Sequence, residues 1–182
     1  MSEKAEHPDY DSRFWLKQAK ELDRAAMLLW DAISDNLEKT LTSRLEVGSE
    51  LTLAEVPFIN LGGVFWLNAG FALENLFKGH IIQNQPDAVI NGAISKRLRT
   101  HNLLKLAKLA TVEFDAVEGF YLWVGSMSVR WSGRYPVALT PKEKVASVFS
   151  EADIRAYRTL FDRTVKQFDP KYSVNVTFVR LA

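Results

Sequence analysis

The chain contains no cysteine. Disulfides, thiolate zinc sites and a cysteine nucleophile are therefore excluded. Histidine is nearly as scarce, with only His7, His80 and His101 among 182 residues. None falls in an E-x-x-H or H-x-x-x-H spacing, so neither a metal site nor a cofactor is expected. An excess of one charge is also missing. Lys and Arg number 23 against 22 Asp and Glu, a net charge of +1, which argues against a broad polyanion-binding surface and leaves room only for a local patch. Long apolar runs are absent: the richest stretch, Phe58 to Phe77, is broken by Gly62, Gly63, Asn68 and Glu74, so no membrane span is expected. The opening M-S-E-K-A-E-H-P-D-Y is polar and acidic, unlike a secretory leader, and the expected location is cytoplasmic. No G-x-x-x-x-G-K-[ST] phosphate loop and no G-x-S-x-G elbow occurs.

What is present is apolar bulk with helical rhythm. With 47% hydrophobic and 12% aromatic residues, the chain can bury a substantial core, and its length suits one domain spanning 1–182. Trp15, Ala19, Leu22, Ala26, Leu29, Ile33 and Leu37 recur at three- and four-residue steps behind a cap at Asp11 or Ser12, predicting a long first helix that ends near Thr40 to Arg44. A connection over Glu46 to Asn60 carries Gly48 and Pro57. The second helix, from about Gly63 to Gln83, gathers Phe65, Ala69, Ala72, Leu73, Leu76, Phe77 and His80 on one side, with Glu74 and Lys78 facing away. Gln85-Pro86-Asp87 and Asn91-Gly92 bracket a loop. A third helix starts at Asn102 and buries Leu103, Leu106, Ala107 and Ala110, presenting Lys105 and Lys108 outward. The fourth, Asp115 to Trp131, has Val117, Phe120, Tyr121, Val124, Met127 and Trp131 as its core stripe. In the last, Ser150 and Asp153 form a capping box ahead of Ile154, Tyr157, Phe161 and Phe168.

The tail changes period. Ser173, Asn175 and Thr177 alternate with Val174, Val176 and Phe178, the two-residue rhythm of a strand that needs a partner from the Glu46–Val56 connection or from a second protomer. The expected fold is all-α: an up-and-down bundle of four to five helices with a short C-terminal strand over 171–182.

Three groups of side chains are candidates for chemistry. In R-W-S-G-R-Y-P, Arg130 and Arg134 stand four apart, so a continuous helix would let two planar guanidinium forks converge on a phosphate or carboxylate. The alternative is pairing with acidic residues of the first or last helix. In R-T-H-N-L-L-K-L, His101 precedes the capping Asn102, where it can hydrogen-bond across the bundle or act as a base. Lys96, Arg97, Arg99, Lys105 and Lys108 make this the most basic local region. His80, on the apolar side of its helix, reads as a core histidine.

The order F-A-L-E-N-L-F-K-G-H, then R-T-H-N-L-L-K-L-A, then V-R-W-S-G-R-Y-P-V resembles the HEPN domain, an all-α module of nucleotide-binding proteins and RNA-cutting toxins. The resemblance covers about Phe14 to Pro136. It implies that R-Y-P, here Arg134, Tyr135 and Pro136, lies near the site attributed to nucleotides, although Val137 stands where an acidic residue commonly follows. The ribonuclease branch carries an arginine and a histidine with four to six residues between them. This chain has no such pair, for Arg97 and His101 are too close and in the wrong helix. The paired aspartates of the nucleotidyltransferase that often accompanies these modules are also missing, so that activity would belong to a partner chain acting as antitoxin. The expected function is a binding module for a nucleotide or an RNA phosphate, in a defence or toxin–antitoxin system, with Arg130, Arg134, Tyr135, His101 and Arg97 as ligand-binding residues. A divergent ribonuclease and a purely structural dimerisation protein are the alternatives. Trp123, off the main stripe beside the two arginines, suggests a homodimer interface.

Overall fold

The computed structural model describes residues 11–47, 61–132 and 150–171. These form a mostly helical protein of five α-helices and one small hairpin. Helix α1, Ser12–Val47, runs for 36 residues. It buries Leu16, Ala19, Ala26 and Ile33 completely or nearly so, while Trp15, Leu22 and Leu29 are half-buried. The expected stripe is present but turned slightly toward Leu16 and Asp23.

Helix α2, Gly62–Asn84, is the centre of the molecule. It packs against α1 along its length and is also touched by the later helices. Phe65, Ala69, Ala72, Leu73, Leu76, Phe77 and Ile81 are sealed from solvent. Glu74 and Lys78, expected on a solvent face, are buried as well. The physical reason is enclosure. A helix with neighbours on nearly every side has no outer face to offer, and opposite charges four residues apart can neutralise each other inside.

Past α2, a 3₁₀ turn at Pro86–Ala88 leads into the antiparallel strands β1, Val89–Ile90, and β2, Ala93–Ile94. Asn91 and Gly92 join them with φ of 50° and 69°, the left-handed pair that a two-residue hairpin turn requires. The only sheet among the described residues is therefore in the middle of the chain. The strand expected in the tail, Ser173 to Phe178, lies outside the described residues, as does the 48–60 connection.

Helix α3, Leu103–Leu109, is short. Helix α4, Ala116–Met127, is closed at its start by a capping box between Asp115 and Glu118 and continues as a π-helical turn, Ser128–Ser132. Helix α5, Glu151–Phe168, begins with the Ser150–Asp153 capping box foreseen in the sequence. Ile154, Tyr157, Phe161 and Phe168 are all buried.

The α4 stripe needs correction. Tyr121, Val124 and Met127 are buried, but Val117 is 56% and Phe120 41% exposed. Glu118, Ser126 and Ser128 take inward positions instead. Glu118 can do so because Arg163 of α5 reaches it at 2.8 Å, and Ser126 because it receives a backbone N–H from α3. Patterning by hydrophobicity alone assigns such positions to solvent. The side chain of Trp131 lies outside the described residues.

Candidate functional site

The start of α3 is held by three kinds of hydrogen bond. The Asn102 side chain accepts the Lys105 N–H at 2.9 Å, as a capping residue should. Thr100 Oγ1 accepts the Asn102 N–H at 3.1 Å. Leu103 N donates to Ser126 Oγ at 2.8 Å, fastening α3 to α4. The approach is close because Gly125, next to Ser126, offers no side chain where it meets Gly70 and Leu103.

This anchoring delivers His101 to α2. Its Nδ1 lies 2.8 Å from Glu74 Oε2, and the other carboxylate oxygen, Oε1, accepts from Lys78 Nζ at 2.7 Å. The side chain of His101 is 50% exposed, whereas those of Glu74, at 7%, and Lys78, at 10%, are buried. A carboxylate can only accept, so Nδ1 carries the proton in this bond and the opposite edge of the ring is left for other partners. A half-exposed imidazole oriented by a buried carboxylate suits it to proton transfer or to anion binding.

Lys105 and Lys108 project from α3 into solvent. With Asn102, Leu104 and Leu109 they line a shallow depression of about 430 Å³.

The remaining sequence candidates are distributed as follows. Arg97 donates to Gln85 Oε1 at 2.8 Å and to Asp87 Oδ1 at 2.6 Å, bracing the hairpin. Arg130 sits at the surface on the π-helical turn, directly after Val129, which packs on Gly70. Arg134 and Tyr135 lie outside the described residues. His80 packs against Phe168 with ring centroids 5.9 Å apart, and burial pulls its imidazole below the ordinary histidine range. It is half-buried, as its place on the apolar side suggested, but its buried Nδ1 has no hydrogen-bond partner among the described residues, so the satisfied core histidine expected there is met only in part.

Other polar clusters lock α5 in place. Tyr157 donates to Asp23 at 2.8 Å, and Arg158 bridges Asp23 at 2.5 Å and Asp162 at 2.8 Å. Burial first, then the negative Asp23, pushes the Tyr157 phenol well above its ordinary value. Tyr121 donates to Asp153 while stacking on Trp66, ring centroids 5.6 Å apart. Its phenol is pushed up to about 12, chiefly by burial and then by that hydrogen bond.

No family model, curated protein or solved structure matches the chain. Among the described residues, no cluster of three or more His, Asp or Glu could hold a metal ion, and no helix is long and apolar enough to cross a membrane.

Glu74, Lys78 and Ser126 are the residues that sequence reading missed. The first two left a signal: an E-x-x-x-K pair within an otherwise apolar helix. Ser126 left none, because its partner is a backbone amide far away in sequence.

Proposed function

We propose that the chain is a HEPN-like binding module that holds a nucleotide or an RNA phosphate at the start of α3. The observation that carries this reading is the His101–Glu74–Lys78 triad at the start of α3, the helix that also exposes Lys105 and Lys108. Two buried charges set behind a half-exposed imidazole are an expensive way to fix a helix start that Asn102 already caps. They fit better as the support of a ligand-contacting group. The finer architecture of this reading is an up-and-down bundle with a strand in the tail. Its setting is a cytoplasmic defence or toxin–antitoxin pair, with a nucleotidyltransferase-type antitoxin as partner. Arg130, Arg134 and Tyr135 are further ligand-binding residues in this reading, and the protein is expected to be a homodimer.

The test is thermal unfolding with and without nucleotides or a short RNA. A ligand at a hundredfold excess over its dissociation constant stabilises by about 2.7 kcal/mol. Stabilisation that disappears in His101→Ala and Lys105→Ala supports the reading. No shift with any nucleotide or RNA refutes it.

A second reading, a divergent ribonuclease, is favoured by one observation: the carboxylate-oriented His101 has the arrangement of a general base. Cleavage of a total RNA pool, lost in both His101→Ala and Arg134→Ala, would establish it.

A further inference from the structure

The triad has a consequence for how a phosphate can be held. Glu74 uses both oxygens internally, Oε1 for Lys78 at 2.7 Å and Oε2 for His101 Nδ1 at 2.8 Å. In the neutral ring the proton on Nδ1 leaves Nε2 as an acceptor. A phosphate oxygen also only accepts, so neutral His101 would meet its ligand lone pair to lone pair. Only the imidazolium, with a second N–H at Nε2, can donate to it.

The charges point the same way. Glu74 and Lys78 cancel as a buried pair, each side chain no more than 10% exposed. A proton on His101 gives the triad a charge of one, and one phosphate neutralises it. Glu74 of α2 holds the ring at Nδ1, Lys78 lies behind it on the same carboxylate, and Arg99 and Lys105 are near His101 in the chain. α4 is tied to this stretch through the uncharged hydroxyl of Ser126, which accepts the Leu103 N–H, and Arg130 follows four residues further along the chain. Apart from Glu74 these charged residues are cations, a composition that suits an anionic ligand.

We infer that His101 is a proton-linked phosphate receptor: it binds the phosphate oxygen as an imidazolium steadied by Glu74, and one proton is taken up from solvent at Nε2 as the ligand docks. This rests on the phosphate-binding reading above. No covalent bond forms or breaks. Glu74 acts as a positioning residue, fixing which nitrogen faces outward. The chemistry recognised is a phosphate oxyanion, whether of a free nucleotide or of an RNA strand.

The experiment uses a fluorescent RNA tetranucleotide with hydroxyl ends, whose phosphodiester charge is constant across the histidine range. Affinity is measured for the full chain from about pH 6 to about pH 8. The wild type should lose roughly tenfold in affinity over that span, by linkage to one proton. His101→Gln should bind with the weaker, pH-independent affinity. The His101 ring resonance, identified by its absence in that variant, should titrate at higher pH when RNA is bound. Competition by adenosine monophosphate identifies a free nucleotide's phosphate as sufficient; displacement only by unlabelled RNA identifies the strand, and either source satisfies the proposal. RNA binding with no pH dependence, or a slope that survives in His101→Gln, overturns the proton linkage and leaves the phosphate-binding reading standing. Absence of binding by RNA and nucleotide alike overturns both.

Discussion

Gly70 of α2 and Gly125 of α4 meet backbone to backbone. A methyl group built on Gly70 would lie 2.8 Å from the Gly125 carbonyl oxygen and 2.7 Å from a Val129 methyl. The carbonyl cannot step aside without moving α4, and α4 carries Ser126, the anchor of α3. Gly70→Ala should therefore destabilise the protein by about 1–3 kcal/mol, the usual cost of overpacking. It should also weaken the hold on His101. Urea denaturation of this variant beside wild type measures the first effect; an unchanged midpoint would mean the crossing is looser than the geometry states.

The buried Glu74–Lys78 pair makes a different prediction. Removing one charge strands the other, so Glu74→Gln alone should cost about 3–5 kcal/mol. The double replacement Glu74→Leu with Lys78→Leu should recover most of that loss, because two apolar side chains need no partners. Equal damage from the single and double variants, by chemical denaturation, would show that the loss comes from the His101 end of the triad and not from a stranded charge.

His80 predicts behaviour in acid. Burial depresses its folded-state value below that of the unfolded chain. Its contribution to stability is therefore present above the unfolded value, near pH 6.5, and is lost as pH falls through the lower folded value. Thermal melts stepped from neutral to about pH 5 should show a fall that His80→Phe reduces. A slope unchanged by the substitution would assign the acid sensitivity to other groups.

The exposed apolar side of α4 bears on association. Val117, Phe120 and Trp123 are 56%, 41% and 39% exposed, and the Phe120 and Trp123 rings are 5.9 Å apart between centroids. A homodimer through this face should be split by Trp123→Glu with no loss of helicity. Sedimentation of both proteins decides: a monomeric wild type rules the interface out.

Much of the fold was legible in the sequence because periodicity reports burial directly. The Ser150–Asp153 and Asn102 caps, the inner stripe of α5 and the lysine face of α3 all follow from local spacing. The errors fell where polar groups go inside. Glu74, Lys78 and Glu118 are buried because each has a partner, and two of those partnerships, with His101 and Arg163, span 27 and 45 residues. Short-range spacing carries no record of them. The candidate site was half legible: His101 stood out by its place before a cap, whereas the carboxylate that orients it was assigned to solvent.

Helix α3 has only seven residues, fewer than a helix needs to persist in water by itself. It exists because Leu103 is tied to Ser126 and its apolar side chains are covered by α2 and α4. The site thus depends on contacts that only the larger helices supply. In the native ensemble the same short segment can peel away first, carrying His101 off Glu74 while the rest of the bundle stays shut.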